Sequence, residues 1–262
     1  MSDWIHALPV ALMALVIFGT TYLVTAAICL AVFRLSTGSR AAAFKAVSPG
    51  LLPVLGVIFG LLIAFLAAQV WGDVERAKSA VNHEASALRG VVLLAAEFPG
   101  EPEARLRKLV SRHVRDARTI EWPAMARHQA TLTMIPRSLA EALAVAVALP
   151  ASTPGAAAAQ REVITALENV LEARRQRVLV SHAGVNWVKW IALIIQACCT
   201  LTAIAMVHSD NRLTVGIATG LFATAAAVCL VLIVSHDRPF VGQLAVSPDV
   251  LLQVQPDTTI GP

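Results

Sequence analysis

Four stretches of this chain are long and apolar enough to cross a bilayer. Residues 8–33, 190–207 and 213–234 contain no charged side chain, and residues 51–71 have Gln69 as their one strongly polar member. Each approaches the ~20 apolar residues that span ~30 Å of hydrocarbon as a helix. A helix closes its own backbone hydrogen bonds, as lipid requires, and the alternating short segments of a β-barrel are missing. The chain is 57% hydrophobic and 15% charged, where a soluble domain is roughly a quarter charged. It therefore reads as an all-α membrane protein with four transmembrane helices. The N-terminal MSDWIHALP has no Lys or Arg, and the first run outlasts the apolar core of a signal peptide, so the first helix is expected to persist.

The runs form two pairs, which divides the chain into residues 1–71 (first helix pair), 72–189 (soluble domain), 190–234 (second pair) and 235–262 (C-terminal latch and tail). The soluble domain reads as helical. Val74, Ala77, Val81, Leu88, Val91 and Ala95 share one helical face, as do Leu106, Leu109, Val110 and Val114, and then Val163, Leu167, Val170 and Val178. FPGEPE, WPAM, IPRS and ASTPG are read as interruptions. No strong stop follows Trp71, so the second membrane helix is expected to run on into the soluble domain. The third is expected to arrive from a soluble helix, with HAGVN at the junction.

Glu84 and Arg174 interrupt two of these apolar faces. Two readings stand. Each sits solvated at the edge of its stripe, or the two meet, because a buried charge needs a partner; Arg175 and Arg177 compete for that role. His113 reads as a satisfied core histidine rather than a ligand. Cys29, Cys198, Cys199 and Cys229 all lie in apolar runs without metal or disulfide spacing, so no metal or cofactor is expected. The net charge of +4 is too dispersed to suggest nucleic acid. No nucleophile–base pair, phosphate loop or zinc motif is present, so the chain is not read as an enzyme.

The last run ends on SHDRPFVGQ, residues 235–243. Asp237 and Arg238 stand at the membrane exit, Pro239 stops the helix, Phe240 suits an interface, and Gly242 permits a turn other residues resist. Together with FGLLIAFLAAQVWGDVERAKSAVNHEASAL, EWPAM and EARRQR, this DRPFVG segment resembles the bestrophin-like membrane proteins of bacteria (the DUF4239 family), over residues 49–250. The resemblance implies a pentameric channel for anions or cations, with a helical cytosolic domain between the second and third membrane helices. It also implies that DRPFVG is a latch packing against that domain. Asp237 would accept hydrogen bonds or pair with Arg174, Arg175 or Arg177, and Phe240 would be buried. The sequence departs from the calcium-sensitive bestrophins. Only Asp237, Asp249 and the distant Asp257 are available in this region, short of a calcium ligand set, and the aromatic series of an animal bestrophin neck is incomplete.

In a channel the second membrane helix is the expected pore lining, through Phe59, Ile63, Leu66 and Gln69. An apolar ring of such residues gates by dewetting; the alternative is that Phe59 and Ile63 face lipid or other helices. Gly56 with Gly60, and Gly216 with Gly220, form GxxxG motifs for helix packing. The rival reading of function is a non-conducting scaffold or sensor that binds a partner through the soluble helices. Partners are then membrane lipid, further copies of the chain and permeant ions. Arg34, Arg40, Lys45 and Arg212 on one side are outnumbered by Arg76, Lys78, Arg89, Arg174, Arg175, Arg177, Lys189 and Arg238 on the other. Locally, the basic first loop beside an N-terminus without Lys or Arg argues for that loop inside. The larger count and the bestrophin resemblance agree instead on a soluble domain and both termini in the cytoplasm of a bacterial inner membrane.

Overall fold

The computed structural model describes residues 4–36, 44, 50–133 and 135–254. Arg40, Lys45 and Asp257, used in the readings above, lie outside them. Among the described residues all regular structure is helical. Four helices have the length and composition of membrane spans: α1 (Val10–Leu35), α2 (Leu51–Ala95), α7 (Trp187–Val207) and α8 (Arg212–His236). Between the second and third of these come α3 (Glu101–Asp116), a π-helical turn (Ala117–Glu121), α4 (Trp122–Ala126), α5 (Arg137–Val147) and α6 (Pro154–Ser181), while α9 (Asp249–Leu252) follows α8. The chain is an all-α membrane protein with a helical soluble domain between its second and third membrane helices.

The chain divides into two compact units. One comprises residues 1–72, 184–238 and 242–244, and the other residues 73–183, 239–241 and 245–262. The division falls inside α2, a single helix of 45 residues. At 1.5 Å per residue that is about 67 Å, twice the ~30 Å of hydrocarbon. Its apolar part ends at Trp71, and charged residues begin at Asp73. No such continuity exists before α7. There α6 stops at Ser181, and Asn186 opens α7 by accepting from the Val188 amide at 3.1 Å.

In the membrane unit, Met13, Ile17, Phe59, Leu66, Trp190, Leu193, Ala227 and Ile233 form the core. Hydrocarbon supplies no hydrophobic drive between helices, so this packing rests on van der Waals contact. In the soluble unit Val81, Leu88, Val91, Leu106, Val110, Met125, Leu139, Leu167 and Val170 are removed from water, and that burial drives folding directly. Gly100, at φ 96, turns the chain into α3, a conformation costly for any residue with a Cβ. WPAM does not break the chain as expected. The π turn ahead of it lets the helix run through Pro123, which has no amide to donate.

Candidate functional site

The membrane half of α2 has two unlike faces. Phe59, at 8% exposure, turns into the unit with its ring 5.1 Å from that of Phe222, and Leu66 is 2% exposed. Both side chains pack inside the membrane unit's own core. Ile63 and Gln69 are half-buried. Gln69 accepts from the ammonium of Lys189, which explains how a polar group sits at the end of an apolar run. The opposite face carries Gly56, Gly60, Ala64 and Ala68, all exposed at intervals of one helical turn. A Cβ placed on Gly56 or Gly60 would meet nothing within 4 Å, and the same holds for Gly216 and Gly220. Neither GxxxG motif serves a close helix contact inside the described chain.

The soluble unit contains a buried charge network. Glu84 and Arg177 are both 0% exposed. Arg177 Nε donates to Glu84 Oε2 at 2.6 Å and its Nη2 to Oε1 at 3.1 Å, a two-point arrangement that a guanidinium fits well. The same Nη2 donates to Glu121 Oε2 at 2.8 Å, and Arg174 Nε donates to Glu121 Oε1 at 2.7 Å. Two carboxylates therefore face two guanidiniums. His113 Nε2 lies 2.9 Å from Glu84 Oε1, while its buried Nδ1 has no hydrogen-bond partner. Burial alone would raise the Glu84 carboxyl; the Arg177 charge, with the bonds from His113 and Arg177, overrides it and brings the pKa down to about 2. Burial likewise opposes ionisation of Glu121, and Arg177 and Arg174 outweigh it.

The partner of Glu84 is thus Arg177, not Arg174. Arg175 is exposed and turns to Glu172 at 3.3 Å. Glu121 escaped the periodicity reading because it lies in the π turn, where spacing no longer follows 3.6 residues. The guanidinium of Arg177 also stands 4.7 Å from the centre of the Trp122 ring, a cation–π distance. Trp122 in turn donates to the Val246 carbonyl at 3.0 Å and meets Phe240 edge-on at 5.7 Å. Phe240, 5% exposed, belongs to the core of this unit.

Asp237 and Gly242 belong to the membrane unit. Asp237 is buried and accepts from the Val185 amide at 2.7 Å, with His6 Nε2 3.8 Å away. Arg238 beside it is half-buried. Gly242 has φ 87, and a Cβ there would stand 2.7 Å from the His6 carbonyl oxygen. Gln243 Oε1 accepts from the Val10 amide at 3.0 Å, filling a donor left open at the start of α1. His6 and Gln243 carried no signal in the sequence, because their partners lie more than two hundred residues away. Among the described residues no three His, Cys, Asp or Glu side chains gather as a metal site.

Against known proteins, the chain matches none of the curated proteins compared with it. Crystal structures of two variants of a bacterial bestrophin homologue from Klebsiella pneumoniae share its fold. One aligns at TM-score 0.70 and 10% identity, over 92% of this chain and 96% of that one. The other aligns at TM-score 0.68 and 11% identity, over 90% and 95%. A further crystal structure, of a membrane protein, aligns at TM-score 0.68 and 12% identity, over 92% and 96%. Identities this low carry the fold and nothing more. The sequence profile of the Bestrophin-like domain, however, matches residues 19–251, nearly the whole chain, and the protein belongs to the bestrophin-like family.

Proposed function

We propose that the protein is an ion channel of the bacterial inner membrane, a ring of identical chains with five copies, in which α2 faces the axis. The observation that supports this best is the open face of Gly56, Gly60, Ala64 and Ala68. A helix meeting only lipid gains from bulky side chains along its whole surface. A ridge of small residues leaves space, which is useful against another helix or around a lumen. Membership of the bestrophin-like family favours the lumen. The wall of such a pore is apolar, so closure by dewetting is the gate it suits. Ile63, at the border of this face, and Gln69, at the end of the apolar run, are the candidates kept for contact with permeating ions.

The decisive experiment is electrical recording of the purified protein in planar bilayers with ion substitution. Currents that fall in Ala64→Phe, with the oligomer intact, are expected. Silent bilayers from an intact oligomer would sink the channel reading in favour of a non-conducting scaffold or sensor. Mass measurement in mild detergent that finds only single chains would sink it as well. In the proposed orientation the soluble domain and both termini are cytoplasmic. A cysteine at Ser152 should then resist an impermeant thiol reagent on intact cells, and labelling before lysis would invert the topology.

A further inference from the structure

We infer that the membrane unit has a binding site for one phospholipid acyl chain, taken from the leaflet in which α7 begins. A cavity of about 320 Å³ lies among α1, α2, α7 and α8. On α7 its lining runs from Trp190 to Leu201, a rise of about 16 Å at 1.5 Å per residue. That is about half of the ~30 Å hydrocarbon thickness, the depth of a single leaflet. On α8 the lining runs from Ala226 to Val234, and on α1 from Ile17 to Val24, so the cavity is elongated along the helices. Trp190 stands one turn inward of Trp187, which is 67% exposed, and Trp4 is exposed as well. Exposed tryptophans mark the level of the headgroups, so the Trp190 end of the cavity lies next to the interface.

The chemistry of the wall selects hydrocarbon over water. Thr20 and Thr21 reach the cavity, but each hydroxyl donates to its own helix, to the carbonyls of Val16 at 2.8 Å and Ile17 at 2.7 Å. A trapped water needs about two to four polar partners, and an apolar cavity without them stays dry. At about 30 Å³ per water-sized group, the space suits a run of methylenes rather than a whole lipid. Val24 and Ile194 line it and are also exposed on the outer surface of the unit, which gives a chain its entry from the surrounding lipid. Lys189, next to Trp190, is exposed and gives Gln69 one hydrogen bond. An ammonium has three donors, so capacity for the lipid's phosphate remains at the level where the headgroup would sit.

The test uses Trp190, only 6% exposed, as the reporter. In a full-length chain carrying Trp4→Phe, Trp71→Phe and Trp187→Phe, Trp122 of the soluble unit remains as an unquenched reference. The protein is reconstituted in phosphatidylcholine vesicles with either plain or chain-brominated acyl groups. Brominated chains are expected to quench most of the Trp190 emission, and Ala197→Phe, whose ring would occupy the cavity, is expected to restore it. Ala226→Leu serves the same purpose if the larger ring prevents assembly. Equal quenching in filled and unfilled proteins would mean that lipid touches only the outer surface. No quenching in either would mean that the cavity is empty or covered by a second copy of the chain. Each of these results overturns the site, and neither depends on whether the protein conducts.

Discussion

The two units solve the burial of polar groups in opposite ways. In the membrane unit most threonine hydroxyls are satisfied within one turn of their own helix, while Tyr22 meets Thr224 at 2.6 Å and Gln196 donates to the Leu55 carbonyl at 3.1 Å across helices. Thr25 donates to Thr21 O, Thr200 to Gln196 O, Thr202 to Cys198 O, and Thr219 to Val215 O, all at 2.6–2.9 Å. In the soluble unit Glu84 draws its partners from 29 and 93 residues away, on other helices. In lipid a hydroxyl always has the carbonyl of its own helix within reach, whereas the soluble unit has a hydrophobic drive strong enough to bring distant charged partners together. These own-helix bonds do not by themselves fix one membrane helix against another. The charge network, by contrast, admits one arrangement of α2, α3, the π turn and α6.

Breaking the network should therefore have the largest effect. Arg177→Met leaves Glu84 buried without its main counter-charge and is expected to cost about 3–5 kcal/mol, read as a fall in thermal midpoint in detergent. Glu84→Leu combined with Arg177→Met should recover much of that loss, because both charges are then gone. If the double variant is no better than the single, the pair is not the source of the effect. Next comes the aromatic contact. Phe240→Ala removes a ring buried against Trp122 and is expected to cost about 3 kcal/mol, the lower end for such a truncation. A midpoint unchanged from wild type would show that the segment after α8 is only a helix stop.

Gly242→Val tests the membrane side of the same segment. A φ of 87 with the His6 carbonyl in the way should cost about 1–2 kcal/mol in backbone strain, before the shift of residues 4–9 needed to clear it. Protease cleavage near the N-terminus should accelerate; unaltered cleavage would place the strain elsewhere. The network also predicts a pH dependence. Glu84 is less basic folded than unfolded, so its contribution is complete above its ordinary pKa of 4.5 and is lost as pH falls toward about 2. The slope of midpoint against pH in that window should shrink in Glu84→Gln. The smallest effect belongs to the membrane hydroxyls. Thr219→Val should cost well under about 1 kcal/mol, and a loss as large as that of Arg177→Met would erase the contrast between the units.

The candidate site was legible in the sequence only in part. Glu84 and Arg174 stood out as charges on apolar faces, with solvation at the edge of the stripe and pairing both open, and Arg177 was one of the competing partners. Which arginine answers Glu84 was not clear, since Arg174 and Arg177 lie three residues apart and both reach the α6 face turned to the core. Glu121 was invisible, because a π turn shifts it out of helical register. On α2, spacing grouped Phe59, Ile63 and Leu66 near one stripe, and the same spacing marked Gly56 and Gly60. Choosing which stripe is covered needed the positions of α1, α7 and α8.

Sequence alone determined the solvent of each segment. Runs of about twenty uncharged residues must be helices in lipid, since no other single segment satisfies its backbone there, and that reasoning needs no knowledge of neighbours. It also reached the length of α2, because nothing after Trp71 stops a helix. Tertiary structure decided everything that depends on a partner: the pairing of Glu84 with Arg177 and His113, the burial of Phe59 and Leu66, and the seating of Gln243 at the start of α1. Periodicity reports which residues share a face. Which face is covered, and by what, is set by chain closure over tens to hundreds of residues, and no local pattern carries that information.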